Sequence, residues 1–275
     1  MKCVDFFFVG PSKTASTWIY KALDEHPEFS LPASKDVYFF DKFFEKGISW
    51  YHGQFRQCDS SKIIGEFSHD YILSEDALGR IRNYNCNAKL IVCIRNPFER
   101  TESGIKFLRR NGYGEGTVDE LIERHTELVE GSLYAKNFKR IYSLFDPSNV
   151  LVLHYDTLKK EPLVFLEEIY QFFGVDSYQP DIAYKVVNKA AVARSKSLSL
   201  ISKKVALLMR RLGLGGVVGR VKMNRFINRM LFEDGGNTAF KLSHKDKVLL
   251  SKYFNDDLRE LSDILGLDFV EWIYE

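Results

Sequence analysis

The chain has 275 residues, 45% hydrophobic and 28% charged, a globular balance with ample length to bury a sizeable core. No apolar stretch approaches the roughly 18 uninterrupted residues of a helical membrane span, which excludes that class. The net charge of +2 hides an asymmetry: twelve Lys and Arg and no Asp or Glu lie between Ile182 and Phe232, against 27 basic and 37 acidic residues elsewhere. Such a block wants an anion beside it, whether a nucleotide, an anionic acceptor or a membrane surface.

The first strand, Phe6 to Val9, begins almost at Met1, which leaves no room for a cleavable signal, so a cytoplasmic location is the default expectation. After it come Gly10, Pro11, Lys13 and a row of small hydroxyl residues opening an amphipathic helix. That pattern is a phosphate cradle: the turn exposes backbone N–H groups at a helix N-terminus, where the macrodipole favours an anion. Lys13 adds a full charge, and Ser16 and Thr17 add hydroxyls. The helix runs from Thr17 to Glu25 and stops at His26-Pro27. SLPASKDVYFFD is a loop returning into a short extended run with Lys35 at its start, and Phe39 to Phe55 reads as irregular structure with short helix, its aromatics mostly core.

A second strand, Ile63 to Phe67, ends at Glu66, and Ser74 caps the helix that follows. KLIVCI, Lys89 to Ile94, is apolar on both faces like a central parallel strand and ends in Arg95-Asn96-Pro97, a cap and first turn for a helix to about Arg110 carrying Arg100 and Ser103. Helices are predicted near Val118 to Val129 and Tyr134 to Leu144, then a strand from Val150 to His154 and helical pieces ending at Gly174. Beyond Asn188 the chain reads as helical and basic, broken by the hinge-like LGLGGVVG, and Ser243 to Leu265 is a long amphipathic helix. Cys3, Cys58, Cys86 and Cys93 lack CxxC or metal-ligand spacing and are expected to be reduced thiols.

Strands alternating with helices predict an α/β, P-loop-like three-layer fold with a central, mainly parallel sheet flanked by helices. One domain over 1–275 is expected, with a donor-binding core to residue 180 and a basic helical part and lid over 181–275. Ligands would sit at the strand C-termini, where the Gly10 loop, Glu66 and Arg95 meet. The loop departs from GxxxxGK[ST], and KLIVCI ends in Arg95 where a P-loop ATPase needs a magnesium-holding acid. The site therefore reads as built to hold anions with cations and hydroxyls, with no metal required.

Five ordered segments then resemble one family. VGPSKTASTWIYKALDEHP is similar to the 5′-phosphosulfate loop of the sulfotransferases that use 3′-phosphoadenosine 5′-phosphosulfate (PAPS) and release PAP. SKDVYFFD and GEFSHDYI resemble segments of the heparan sulfate type and of bacterial members. LIVCIRNPFERTESGIKFL resembles the 3′-phosphate motif, with its arginine and serine eight residues apart, and VLVLHYDTLKKEPLVFLEEIYQFFGVD the strand and helix that follow. The resemblance implies sulfuryl transfer to a hydroxyl, or an amine, of a small-molecule, glycan or glycolipid acceptor. By motif, Lys13 meets the leaving phosphate, with Thr14, Ala15, Ser16, Thr17 and Trp18 around the 5′ end. Arg95 and Ser103 take the 3′-phosphate, Lys35 is the second active-site lysine, and Glu66 is the general base.

Three departures stand out. The family glycine is Ala15, for which a left-handed backbone is costly, so a slightly different loop is expected. The lysine after the glutamate is Phe67, and the usual proline is His69, a rival base. Alternation along an extended segment points Glu66 and Ser68 one way and His69 the other, which favours Glu66. Arg194 and Lys196 are candidates for closing over the nucleotide, and the basic segment 182–232 for peripheral membrane contact; no nucleic-acid partner is expected. The competing readings are a metal-dependent phosphotransferase or kinase and a non-catalytic nucleotide- or membrane-binding module.

Overall fold

Strand β1 (Phe6–Gly10) is buried along its whole length, and its side chains divide by parity. Phe7 and Val9 enter one core while Phe6 and Phe8 enter another, as the two-residue period of a central strand requires. β4 (Lys89–Ile94) repeats the division, with Leu90, Val92 and Ile94 on the first side and Ile91 and Cys93 on the second. With β2 (Phe29–Ser30), β3 (Ile63–Phe67) and β5 (Val150–His154) they form a five-stranded, all-parallel sheet in the order β2-β3-β1-β4-β5. The computed structural model describes residues 3–184, 191–193, 205–212, 232–234 and 240–275.

Helices α1 (Ser16–Glu25) and α10 (Pro162–Phe173), with α9 (Tyr155–Lys160), cover one face. The other is covered by α2 (Phe39–Lys42), α3 (Gly47–Gly53), α4 (Glu75–Tyr84), α5 (Pro97–Arg110), α6 (Val118–Arg124), α7 (Glu127–Glu130) and α8 (Tyr134–Tyr142). A short helix over 205–211, α11, precedes α12 (His244–Leu265), which packs on α8. This is the expected three-layer arrangement. A separate two-stranded antiparallel ladder joins Ala191–Ala193 to Phe232–Asp234. Among the described residues no helix is long and apolar enough to cross a membrane.

The chain leaves β1 toward β2 and β3 on one side and returns to β4 on the other, so the switch in strand order lies at the carboxyl end of β1. Close packing beneath it depends on Gly65, where a Cβ would stand 2.0 Å from the Phe6 ring. Ser74 and Asn96 cap α4 and α5 as their sequences predict, Pro97 occupying the first turn. Three local expectations differ. The helix predicted over 118–129 breaks at His125 into α6 and α7. Within the stretch beyond Asn188 read as helical, Ala191–Ala193 and Phe232–Asp234 are strands, paired with each other. The extended run predicted after Lys35 is absent: Asp36 and Tyr38 take left-handed backbones (φ 65 and 55) and α2 begins at Phe39. The cause is docking on the end of β3, where Asp36 N–H donates to Phe67 O at 2.6 Å and Tyr38 N–H to Ser68 Oγ at 3.1 Å.

Candidate active site

Gly10 has φ 123, and a Cβ there would lie 2.1 Å from the His69 carbonyl oxygen, so the loops after β1 and β3 run in direct contact. Lys13 and Ala15 then both adopt left-handed conformations (φ 72 and 66). Ala15 thus adopts the left-handed backbone that is costly for a residue with a Cβ. Ala15 is also the N-cap of α1, and no side chain caps that helix, whereas Ser74, Asn96, Thr117 and Ser243 cap theirs. The uncapped N–H groups of α1 suit an anion.

Thr14 is fully buried and its Oγ1 donates to Pro11 O at 2.6 Å, so its hydroxyl braces the loop. Trp18 is turned into the core, edge-on to Phe165. Ser16 Oγ accepts from Lys35 Nζ at 3.0 Å, which brings the second lysine onto the loop. Thr17 is half-buried in the first turn of α1.

Lys13 Nζ sits 4.2 Å from the centre of the Phe107 ring, and no carboxylate among the described residues pairs with it. Burial, and then the charges of Arg110, Lys35, Arg100 and Arg95, lower its pKa to about 7. Arg95 lies over the Tyr155 ring at 4.3 Å, pairs with Glu99 at 3.0 Å and donates to Lys13 O at 3.4 Å. Ser103, two turns further along α5, is half-exposed. Sequence reasoning missed the role of Arg100, which is buried and donates to Ser12 O at 3.0 Å, and missed Arg110 altogether; helical position alone gave neither a signal.

At the end of β3, Glu66 has no exposed surface. Its carboxylate accepts from Tyr51 OH at 2.7 Å, Ser68 Oγ at 2.6 Å and Tyr71 OH at 2.7 Å. Burial dominates and raises its pKa to about 7, against the lowering effect of these three donors. Ser68 does share its side of the strand, as alternation predicts, but that side is an interior lined by tyrosines, not the open cleft. The His69 side chain is 22% exposed. Its Nδ1 lies 3.0 Å from Asp36 Oδ1, and its Nε2 lies 3.3 Å from Asp70 Oδ1 and 3.5 Å from Tyr38 OH. Phe39, Phe40 and Tyr51 are core, as expected, though Tyr51 reaches Glu66 with its hydroxyl and Tyr38 reaches His69. Arg194 and Lys196 lie outside the described residues.

The arrangement sets an uncapped helix start among Lys13, Lys35, Arg95 and Arg100, with a carboxylate and an imidazole at the neighbouring strand end. Residues 4–234 match the sulfotransferase domain family model. The chain is 30% identical over 135 residues to a membrane-associated sulfotransferase, kil1, of Dictyostelium discoideum (46% of this chain, 29% of that protein). It is 28% identical over 192 residues to mouse bifunctional heparan sulfate N-deacetylase/N-sulfotransferase 4 (62% and 22%). With mouse heparan sulfate glucosamine 3-O-sulfotransferase 6 it shares 25% over 175 residues (61% and 51%). These alignments span from about a fifth to a half of the relatives' lengths. The fold is that of a sulfotransferase from Alicyclobacillus acidocaldarius (TM-score 0.71, 17% identity, 99% of both chains). It is also like mouse sulfotransferase SULT7A1 complexed with PAP (TM-score 0.54, 20% identity, 97% of this chain and 89% of that one). Fold, loop and match over most of its length agree: the chain belongs to the sulfotransferase domain family.

Proposed function

We propose that the protein moves a sulfuryl group from PAPS to a hydroxyl, or an amine, of a glycan or glycolipid acceptor. The observation that carries this reading is Lys13: a cation held among four others, with no described carboxylate as partner, at the mouth of an uncapped helix. Such a site is short of negative charge, and its residues fit a phosphosulfate. Bound there, PAPS supplies an activated sulfuryl group whose leaving group is a phosphate. Lys13 Nζ stabilises the charge that develops on that phosphate, and the N–H groups of the loop and α1 hold its remaining oxygens. Lys35, tied to Ser16, supports the same end. Arg95 exchanges Glu99 for the 3′-phosphate, with Ser103 donating from α5. The relatives named for heparan sulfate support a carbohydrate acceptor.

The acceptor must lose a proton as sulfur is attacked in line. Of the two candidate bases, His69 keeps 22% of its side chain exposed while its ring is held by Asp36. Glu66 is the alternative: its affinity for a proton suits work near neutrality, but the enclosure made by Tyr51, Ser68 and Tyr71 must open first.

Titration with PAP and with 5′-AMP tests the donor assignment. PAP should bind at least roughly tenfold more tightly through the added 3′-phosphate contacts, and an Arg95→Ala variant should lose most of that preference. Equal affinities would remove Arg95 and Ser103 from the reading. Radiolabelled PAPS offered to glycans, glycolipids, phenols and simple amines identifies the acceptor. ATP turnover that a chelator abolishes would instead favour the phosphotransferase.

A further inference from the structure

Helix α11 is inside out. Its Arg210 is 9% exposed, with the guanidinium 3.9 Å from the Asp36 carboxylate and 5.9 Å from the centre of the Tyr38 ring. The outer face of residues 205–212 carries Val205, Leu208 and, just past the helix, Leu212 at i, i+3 and i+7, exposed by 48%, 57% and 65%, with Leu207 (48%) at the border. A surface helix ordinarily turns its aliphatic stripe to the core and its charges to water. Here a charge goes in and four aliphatics within eight residues face out, which is a patch, unlike the single exposed hydrophobics normal on a surface.

The chemistry around the patch selects what covers it. Arg211 is exposed among these aliphatics, Lys203 and Lys204 immediately precede the helix in the chain, and the whole block from Ile182 to Phe232 contains no acid. A second copy meeting this face with its own equivalent face would bring like charge against like. An anionic bilayer satisfies both halves, because aliphatic side chains enter the acyl boundary while Lys and Arg meet the headgroups.

We propose that the outer face of residues 205–212 docks on an anionic lipid surface, holding the Asp36, Tyr38 and His69 side of the site beside it. That the acceptor is then lipid-borne rests on the sulfuryl-transfer reading; the docking does not.

Co-sedimentation of the full chain with phosphatidylcholine vesicles, with and without phosphatidylserine, tests this. The protein should pellet with the phosphatidylserine vesicles and be released as salt rises. Leu208→Glu with Leu212→Glu should lower partitioning by roughly tenfold or more while PAP affinity stays unchanged. If that pair also costs PAP binding, Leu208→Ser with Leu212→Ser asks the same question with less disturbance. No pelleting, or equal pelleting of wild type and variant, overturns the proposal. So does a lipid-free dimer that the substitutions dissociate, which would assign the face to a second copy. A wild type that pellets but does not bind PAP would leave the docking intact and remove the donor reading.

Discussion

Arg100 Nε donates to the carbonyl oxygen of Ser12 at 3.0 Å, tying α5 to the loop that carries Lys13. The same guanidinium donates to Leu128 O (3.0 Å), Glu127 O (3.0 Å) and Ser132 Oγ (2.9 Å), four acceptors on three segments. Gly131 makes room for it, since a Cβ there would lie 2.1 Å from a terminal nitrogen. An ammonium cannot span this fork. Arg100→Lys should therefore cost about 2–4 kcal/mol of stability through buried carbonyls left unpaired, and should weaken PAP binding as the loop loosens. Urea melts and PAP titration check it; unchanged values in both would make Arg100 dispensable to the loop.

Lys13 offers a second prediction through its lowered pKa. Burial and four neighbouring cations bring it to about 7, so above that value much of the unliganded protein carries a neutral amine. A bound dianion favours the ammonium, and PAP binding should take up roughly one proton at about pH 8, falling toward zero below neutrality. Calorimetric titration in buffers of different ionisation enthalpy measures the uptake. Lys13→Met should abolish it, and an uptake surviving that substitution would place the proton elsewhere.

Four of the five sheet strands and the loop were legible in the sequence because each carries a local signal: the parity of Phe6 to Val9, the double-sided run of KLIVCI, the glycine, lysine and hydroxyls before α1. What was not legible depends on partners far apart in the chain. Glu66 reads as a strand-end carboxylate until Tyr51 and Tyr71 close over it, and Arg100 as an ordinary helix residue until Ser12 and Leu128 meet it. Asp36 reads as part of an extended run, and its pairing with His69 arises only because the end of β3 bends the backbone around it.

Ala15 stands at φ 66, where a Cβ is strained by roughly 1 kcal/mol but a glycine would loosen the unfolded chain by a similar amount. Ala15→Gly should therefore alter stability by less than about 1 kcal/mol and leave PAP affinity within roughly twofold. Thermal melts and titration suffice, and a larger loss in either would mean that the methyl group itself contributes to the loop.

Enclosure of Glu66 has a thermodynamic consequence. Its folded pKa is raised from 4.5 to about 7, so between those values the native state binds more protons than the unfolded state. Stability from this group is full below 4.5 and is lost as pH rises through about 7, a loss of up to ~3 kcal/mol. Denaturant melts across that interval should show the decline in wild type and a flatter profile in Glu66→Gln. Parallel profiles would mean that the carboxylate is as solvated when folded as when unfolded.

The same variant, paired with His69→Gln, identifies the base. If His69 takes the acceptor's proton directly, its replacement should cut turnover by roughly 10²–10⁴-fold with PAP binding intact, and Asp36→Asn should follow it part of the way because the ring loses its anchor. Glu66→Gln should then remain active. If Glu66 is the base, the losses exchange places. Because a base must be deprotonated to act, kcat/KM would then rise with pH through about 7 in wild type and lose that limb in Glu66→Gln. Turnover of all three variants against pH, using the acceptor found by sulfate labelling, separates the two. A large loss in both single variants, with no further loss when they are combined, would show that the two groups act in one proton path.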